Sequence, residues 1–97
     1  MEIRWLKTAL DTRFAQLDYI ALDKPGAAER LDEEIEHQTE RLADHPHMGR
    51  EGRVKGTREL VIARTSFIAV YRVTATHIDI LRILHGAQRW PRPKPGE

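Results

Sequence analysis

Four cations lie close together in the stretch GREGRVKGTREL, residues 49–60. Arg50, Arg53 and Arg58 carry planar guanidinium forks that match a phosphate or a carboxylate, and Lys55 adds a point charge among them. Gly49, Gly52 and Gly56 punctuate the stretch and make it a loop or a loosely paired strand. A nucleic-acid backbone, an acidic protein segment or water alone would satisfy such a group. Residue types offer little else for covalent chemistry. The chain has no cysteine, which excludes a disulfide framework, a thiolate nucleophile and a thiolate metal site. His45 and His47 flank Pro46, but no carboxylate–histidine spacing of a metal site follows, so no metal and no cofactor are expected. Trp5 and Trp90 offer ring faces that either stack on bases or pack against the fold.

These groups sit in a chain of 97 residues, enough for one domain with one core. With 40% apolar and 32% charged residues, the composition is that of a soluble globular protein. The N-terminus MEIRWLKTAL lacks the apolar run of a secretory signal. No stretch approaches the ~20 apolar residues that span a bilayer, so a cytoplasmic protein without a membrane partner is expected. The net charge of +1 conceals a split: residues 1–44 hold 6 basic against 11 acidic side chains, and residues 45–97 hold 10 against 4. Either the halves neutralise each other across the fold, or one surface meets an anionic partner.

The elements that must position these residues follow from periodicity. EIRW (2–5) alternates and reads as a strand with Ile3 and Trp5 on one face. Thr8 followed by Asp11 resembles a capping box opening a helix, with Leu6, Leu10, Phe14, Leu17 and Ala21 as its apolar stripe. Pro25 starts a second helix running to about Ala43, with Ala28, Leu31, Ile35, Gln38 and Leu42 on one face and a solvated carboxylate face opposite. A short link makes the two an antiparallel hairpin. RELVIAR (58–64), FIAVYRVT (67–74) and HIDILRILH (77–85) read as strands joined by two-residue turns at Thr65–Ser66 and Ala75–Thr76. The last strand is apolar on both faces, as a central strand is. Tyr71 lies mid-strand and belongs in the core, where its hydroxyl needs a partner. Residues 1–90 form the domain, and the proline-rich 91–97 an extended, mobile tail. The fold class is α+β in the order β-α-α-β-β-β, a two-helix hairpin on one face of an antiparallel sheet whose other face is bare.

That order, together with YIALDKPGAAERL, HPHMGREGRVKGTREL, VYRV and ILRILHGAQRWP, closely resembles the RelE/ParE superfamily of toxins from bacterial type II toxin–antitoxin pairs. The similarity runs over roughly residues 3–91. It implies a growth-inhibiting toxin neutralised by a cognate antitoxin, directed either at DNA gyrase or at mRNA on the ribosome. RelE-type ribonucleases place two lysines where this chain has Leu60 and Ile62, and an arginine near Ile68 or Ala69. A ribonuclease branch resembling YafQ uses histidines that His85 and His45 match, although a further His and Asp expected around 59–65 are missing. On that resemblance His85 is the candidate acid or base, Arg82, Arg64 and Arg89 the candidate phosphate partners, and Gln88 a hydrogen-bond donor. The structural alternative has His85 ending a buried strand. The gyrase-directed ParE branch also shows YRV and a strand ending in LH, and needs no catalytic set. The resemblance leans that way, with a metal-independent mRNA endonuclease or a non-toxic antitoxin-binding member as alternatives. In all of them Arg50, Arg53, Lys55, Arg58, Arg89 and Trp90 are candidates for contact with nucleic acid or antitoxin.

Overall fold

A computed structural model describes residues 1–86, 90 and 91. Gln88, Arg89 and all but the first residue of the tail expected over 91–97 lie outside the described residues. The chain runs β1 (Glu2–Trp5), α1 (Lys7–Ala21), α2 (Pro25–Glu40), a 3-10 turn (Arg41–Ala43), β2 (Arg50–Glu51), β3 (Arg58–Val61), β4 (Phe67–Val73) and β5 (His77–His85). The sheet order is β1-β5-β4-β3-β2. The expected meander β3-β4-β5 is present, and two pairings extend it. The β1 strand lies parallel to β5, with Ile3 opposite Ile78, and β2 adds a short antiparallel edge on β3. The connection that parallel pairing requires runs from β1 through the helical hairpin and the β2–β4 strands to β5.

Helix α2 follows its apolar pattern closely. Ala28, Ile35 and Gln38 are buried, with Leu42 buried just beyond, and Pro25 occupies its first turn. Helix α1 does not. It starts at Lys7 with Leu6 as an uncapped N-cap, so Thr8 forms no capping box. Its buried face is Ala9, Arg13 and Leu17, while Phe14 is 55% exposed. Arg13 enters the interior because its charge is met there. It donates to Asp32 at 2.7 Å and to Glu36 at 2.8 Å on α2, and its guanidinium lies 4.6 Å from the Trp5 ring centre.

The main core lies between the helices and the sheet, around Ile35, Ile62, Tyr71, Ile78, Ile80 and Ile83. The register of β4 on β5 slips between Val70 and Tyr71: Val70 faces Arg82, and Tyr71 faces Ile80. The extra residue on β5 changes which face its side chains take. Ile78, Ile80 and Ile83 all reach the helix side, and Leu84 reaches the far side. Beyond the end of β1, the Ile83 N–H is satisfied from α1 by the Thr12 hydroxyl at 2.9 Å. Among the described residues the far face carries no helix, as expected, but it is not wholly polar. Ile68, Val70 and Leu84 form a second apolar cluster there, with Leu81 and Trp90 packed on it.

Candidate functional site

The open face of the sheet collects charge in two carboxylate-centred groups. Glu59 on β3 is 1% exposed and accepts hydrogen bonds from the Arg53 backbone N–H at 2.9 Å, from its Nε at 3.1 Å and from Arg50 Nη2 at 3.2 Å. Burial alone would raise its pKa, but the hydrogen bonds from Arg53 and Arg50 outweigh it and hold the carboxyl below the ordinary glutamate range. On β5, Asp79 accepts from Arg72 at 2.9 Å, and His77 Nε2 lies 3.2 Å away. The Arg72 hydrogen bond leads, against burial, in lowering the Asp79 pKa, helped by the charges of His77, Arg72 and Arg4. Arg82 completes the face, its guanidinium 4.9 Å from the centre of the Trp90 ring. Each of these arginines is fixed at one end by a buried carboxylate or an aromatic plane. Arg50 and Arg72 nevertheless keep half or more of their side-chain surface in water, where remaining N–H donors stay free for an anion.

The basic stretch therefore divides at the sheet edge. Arg50 and Arg53 turn to the open face with Glu59. Arg58 faces the same way as Tyr71, its cross-strand partner, and with Lys55, His47 and Thr57 lines a cleft of about 360 Å³ on the helix side. Tyr71 itself is buried, and its hydroxyl donates to the Pro46 carbonyl at 2.8 Å and accepts from the Gly49 N–H at 2.9 Å. That pair fastens the loop between α2 and β2 to the sheet. A side chain at Gly49 would collide with the ring, since its Cβ would stand 2.7 Å from Tyr71 Cε1.

His85 and Arg64 meet elsewhere, in a cleft of about 320 Å³ between the β3–β4 turn and the helices, with Gln16, Tyr19 and Phe67 among its walls. Arg82 is not with them: positions three apart on a strand face opposite sides, and the slip in β5 puts Arg82 on the open face. Leu60, Ile62 and Ala69, at or near the positions where RelE-type enzymes carry basic groups, are all buried and apolar. His45 and His47 share a shallow hollow with Arg41 and Met48. Among the described residues no cluster of three or more metal-binding side chains occurs. Sequence reasoning missed Arg4, Arg72, His77 and Asp79: the β4–β5 register sets Arg72 opposite Asp79, and the β1–β5 register sets Arg4 beside it.

Comparison with known proteins agrees with this architecture. Residues 3–90 match the family model for the ParE toxin of the type II toxin–antitoxin system parDE. Y4kP of Sinorhizobium fredii, a protein named as a candidate toxin, is 40% identical over 90 residues, covering 93% of each chain. A chain from the chromosomal ParDE toxin–antitoxin system of P. aeruginosa superposes with a TM-score of 0.80 at 30% identity, covering 88% of this chain and 95% of that one. The expected β-α-α-β-β-β arrangement is the fold shared with that chain, and β2 is an edge strand beyond the expected order. A toxin of a parDE system has a cognate antitoxin as its partner. This chain belongs to the ParE toxin family of type II toxin–antitoxin systems.

Proposed function

We propose that the toxin arrests growth in the bacterial cytoplasm by binding and trapping DNA gyrase, and that it performs no catalysis of its own. The observation that carries this reading is the separation of His85 from Arg82 across the sheet, with buried Leu60 and Ile62 where a RelE-type centre has lysines. Metal-free RNA cleavage needs a proton acceptor, a proton donor and cations around one phosphate. Here a single histidine and Arg64 share a cleft, and the other described arginines lie elsewhere. The preorganised arginines of the open face, with Arg50 and Arg53 at one edge and Arg82 over Trp90, suit contact with the anionic side of a gyrase–DNA complex. Lys55 and Arg58 line the cleft on the helix side and would meet a different part of a partner. Such contacts weaken with salt, because exposed charges are screened within about 8 Å at physiological ionic strength.

Purified toxin added to gyrase, ATP and relaxed plasmid is expected to block supercoiling and to leave gyrase-dependent breaks in the DNA. Unaltered gyrase activity, together with cuts in mRNA on translating ribosomes, would move the assignment to the endonuclease with His85 and Arg64 at its centre. Inertness in both assays, with antitoxin binding intact, would mark a non-toxic member.

A further inference from the structure

Arg58 is the strand arginine that the fold leaves unanswered. Arg4 lies 3.8 Å from Glu2, Arg50 and Arg72 meet Glu59 and Asp79, and Arg82 lies over the Trp90 ring. The Arg58 Nε, by contrast, is buried and has no hydrogen-bond partner. Its cross-strand neighbour Glu51 lines the same cleft without accepting from that nitrogen. A buried donor on a charged group costs more when unpaired than a neutral one does, so its retention points to an acceptor outside the chain.

The cleft around Arg58 is shaped by the chain itself. The Gly52 N–H donates to the Thr57 carbonyl at 2.8 Å, and Thr57 returns its N–H at 3.1 Å and its hydroxyl at 2.7 Å to the Val54 carbonyl. Gly56 adopts a φ of 85° in this closed turn, and a Cβ at Gly52 would collide with Thr57 Oγ1. The turn brings Lys55 to one wall, and the loop after α2 brings His47 to another. At about 360 Å³ the space falls within the range of small-ligand sites. Arg58, Lys55 and His47 stand there against one carboxylate, Glu51, so the cleft favours an anion. We propose that it is an oxyanion site for a terminal phosphate, carried by a free nucleotide or by the 5′ end of a DNA strand. Arg58 is the principal donor and Lys55 the second charge. A terminal phosphate bears up to about two negative charges at neutral pH and three acceptor oxygens, enough to engage the guanidinium fork and the ammonium together. A carboxylate brings one charge, and the carboxylate already beside Arg58 leaves its Nε unpaired. The inference does not rest on the gyrase reading, because the cleft lies on the helix side, away from the Glu59 group of the open face.

The test is calorimetric titration of the toxin with inorganic pyrophosphate, a nucleoside triphosphate, and a short oligonucleotide with and without a 5′-phosphate. Each is repeated with Arg58→Met and Lys55→Gln, alongside thermal melts. Saturable binding is expected, about tenfold or more weaker in Arg58→Met. That variant is also expected to melt no lower than the parent, because it keeps an apolar stem and removes the unpaired donor. Lys55→Gln is expected to lose less affinity and to show a shallower salt dependence with folding intact. Saturation by the nucleotide would identify a free nucleotide as the carrier, and saturation by the 5′-phosphorylated strand alone would identify a DNA end; either supports the site. No binding, or equal binding in the parent and both variants, would overturn the proposal. So would an Arg58→Met toxin that melts lower but binds as the parent does, since Arg58 would then serve the fold alone.

Discussion

Arg82 and His85, three positions apart on the same strand, face opposite sides of the sheet. Strict alternation already separates positions three apart. The slip at Val70/Tyr71 decides which side each one takes, sending Arg82 onto Trp90 and His85 into the cleft beneath the helices. His85→Gln keeps shape and some hydrogen bonding but removes proton transfer. Losing a general acid or base costs roughly 10²–10⁴ in rate. The gyrase reading expects this variant to arrest growth nearly as well as the parent, measured as colony survival after induction. Full loss of toxicity with an unchanged melting temperature would show that His85 handles a proton.

Gln38→Ala removes the amide that closes both backbone groups of Ala63 and also donates to Glu34 at 2.6 Å. Leaving these groups without partners should cost about 1–3 kcal/mol. Urea titration of the isolated toxin measures this. A midpoint equal to that of the parent would mean that water replaces the clamp without loss.

Gly49→Ala would place a Cβ 2.7 Å from the buried Tyr71 ring and 2.8 Å from the Glu59 carbonyl. Backbone cannot yield as a flexible side chain can, so a destabilisation of about 1–3 kcal/mol is expected. Tyr71→Phe should destabilise through a different route, by stripping the hydroxyl from the Pro46 carbonyl and the Gly49 N–H. Thermal melts of the two variants check both. A neutral Gly49→Ala would contradict the close approach.

The two carboxylates of the open face set the acid limb of stability. Both have folded pKa values below their ordinary ranges, so the charged forms favour the native state. Their contribution is fully present above the unfolded values of about 4.3 for Glu and 3.9 for Asp, and is lost as pH falls through the lower folded values. Stability should therefore hold from neutrality to about pH 5 and fall steeply below about pH 4. Glu59→Gln should flatten part of that fall and lower stability at pH 7, because Arg50 and Arg53 lose their buried anion. An unchanged acid limb in Glu59→Gln would remove Glu59 from this role.

Much of the fold was legible because local pattern and tertiary environment agreed. The bounds of β5 at His77 and His85, the start of α2 at Pro25 and its apolar face are as the periodicity predicts. Helix α1 was misread because its buried face contains Arg13, and no hydrophobic pattern signals an arginine whose partners are Asp32 and Glu36 on another helix. Strand β3 ends at Val61 rather than Arg64 because Arg64 adopts a positive φ, which no glycine or asparagine announced. The hairpin at Ala75–Thr76 formed as expected, closed by Thr74 and His77. Of the site, the basic stretch was visible as charge, but its division between two faces depends on Glu59 being buried, and Glu59 reads in sequence as one more surface carboxylate. The side of the sheet reached by Arg82 and His85 depended on one slipped residue between β4 and β5.

Pulse labelling after induction tests the central claim most directly. Cells expressing the toxin alone are given labelled thymidine and labelled amino acids in parallel. The account predicts that thymidine incorporation falls first, with DNA breaks, while amino-acid incorporation persists, and that co-expressed antitoxin prevents both effects. Amino-acid incorporation collapsing first, with DNA intact, would contradict it.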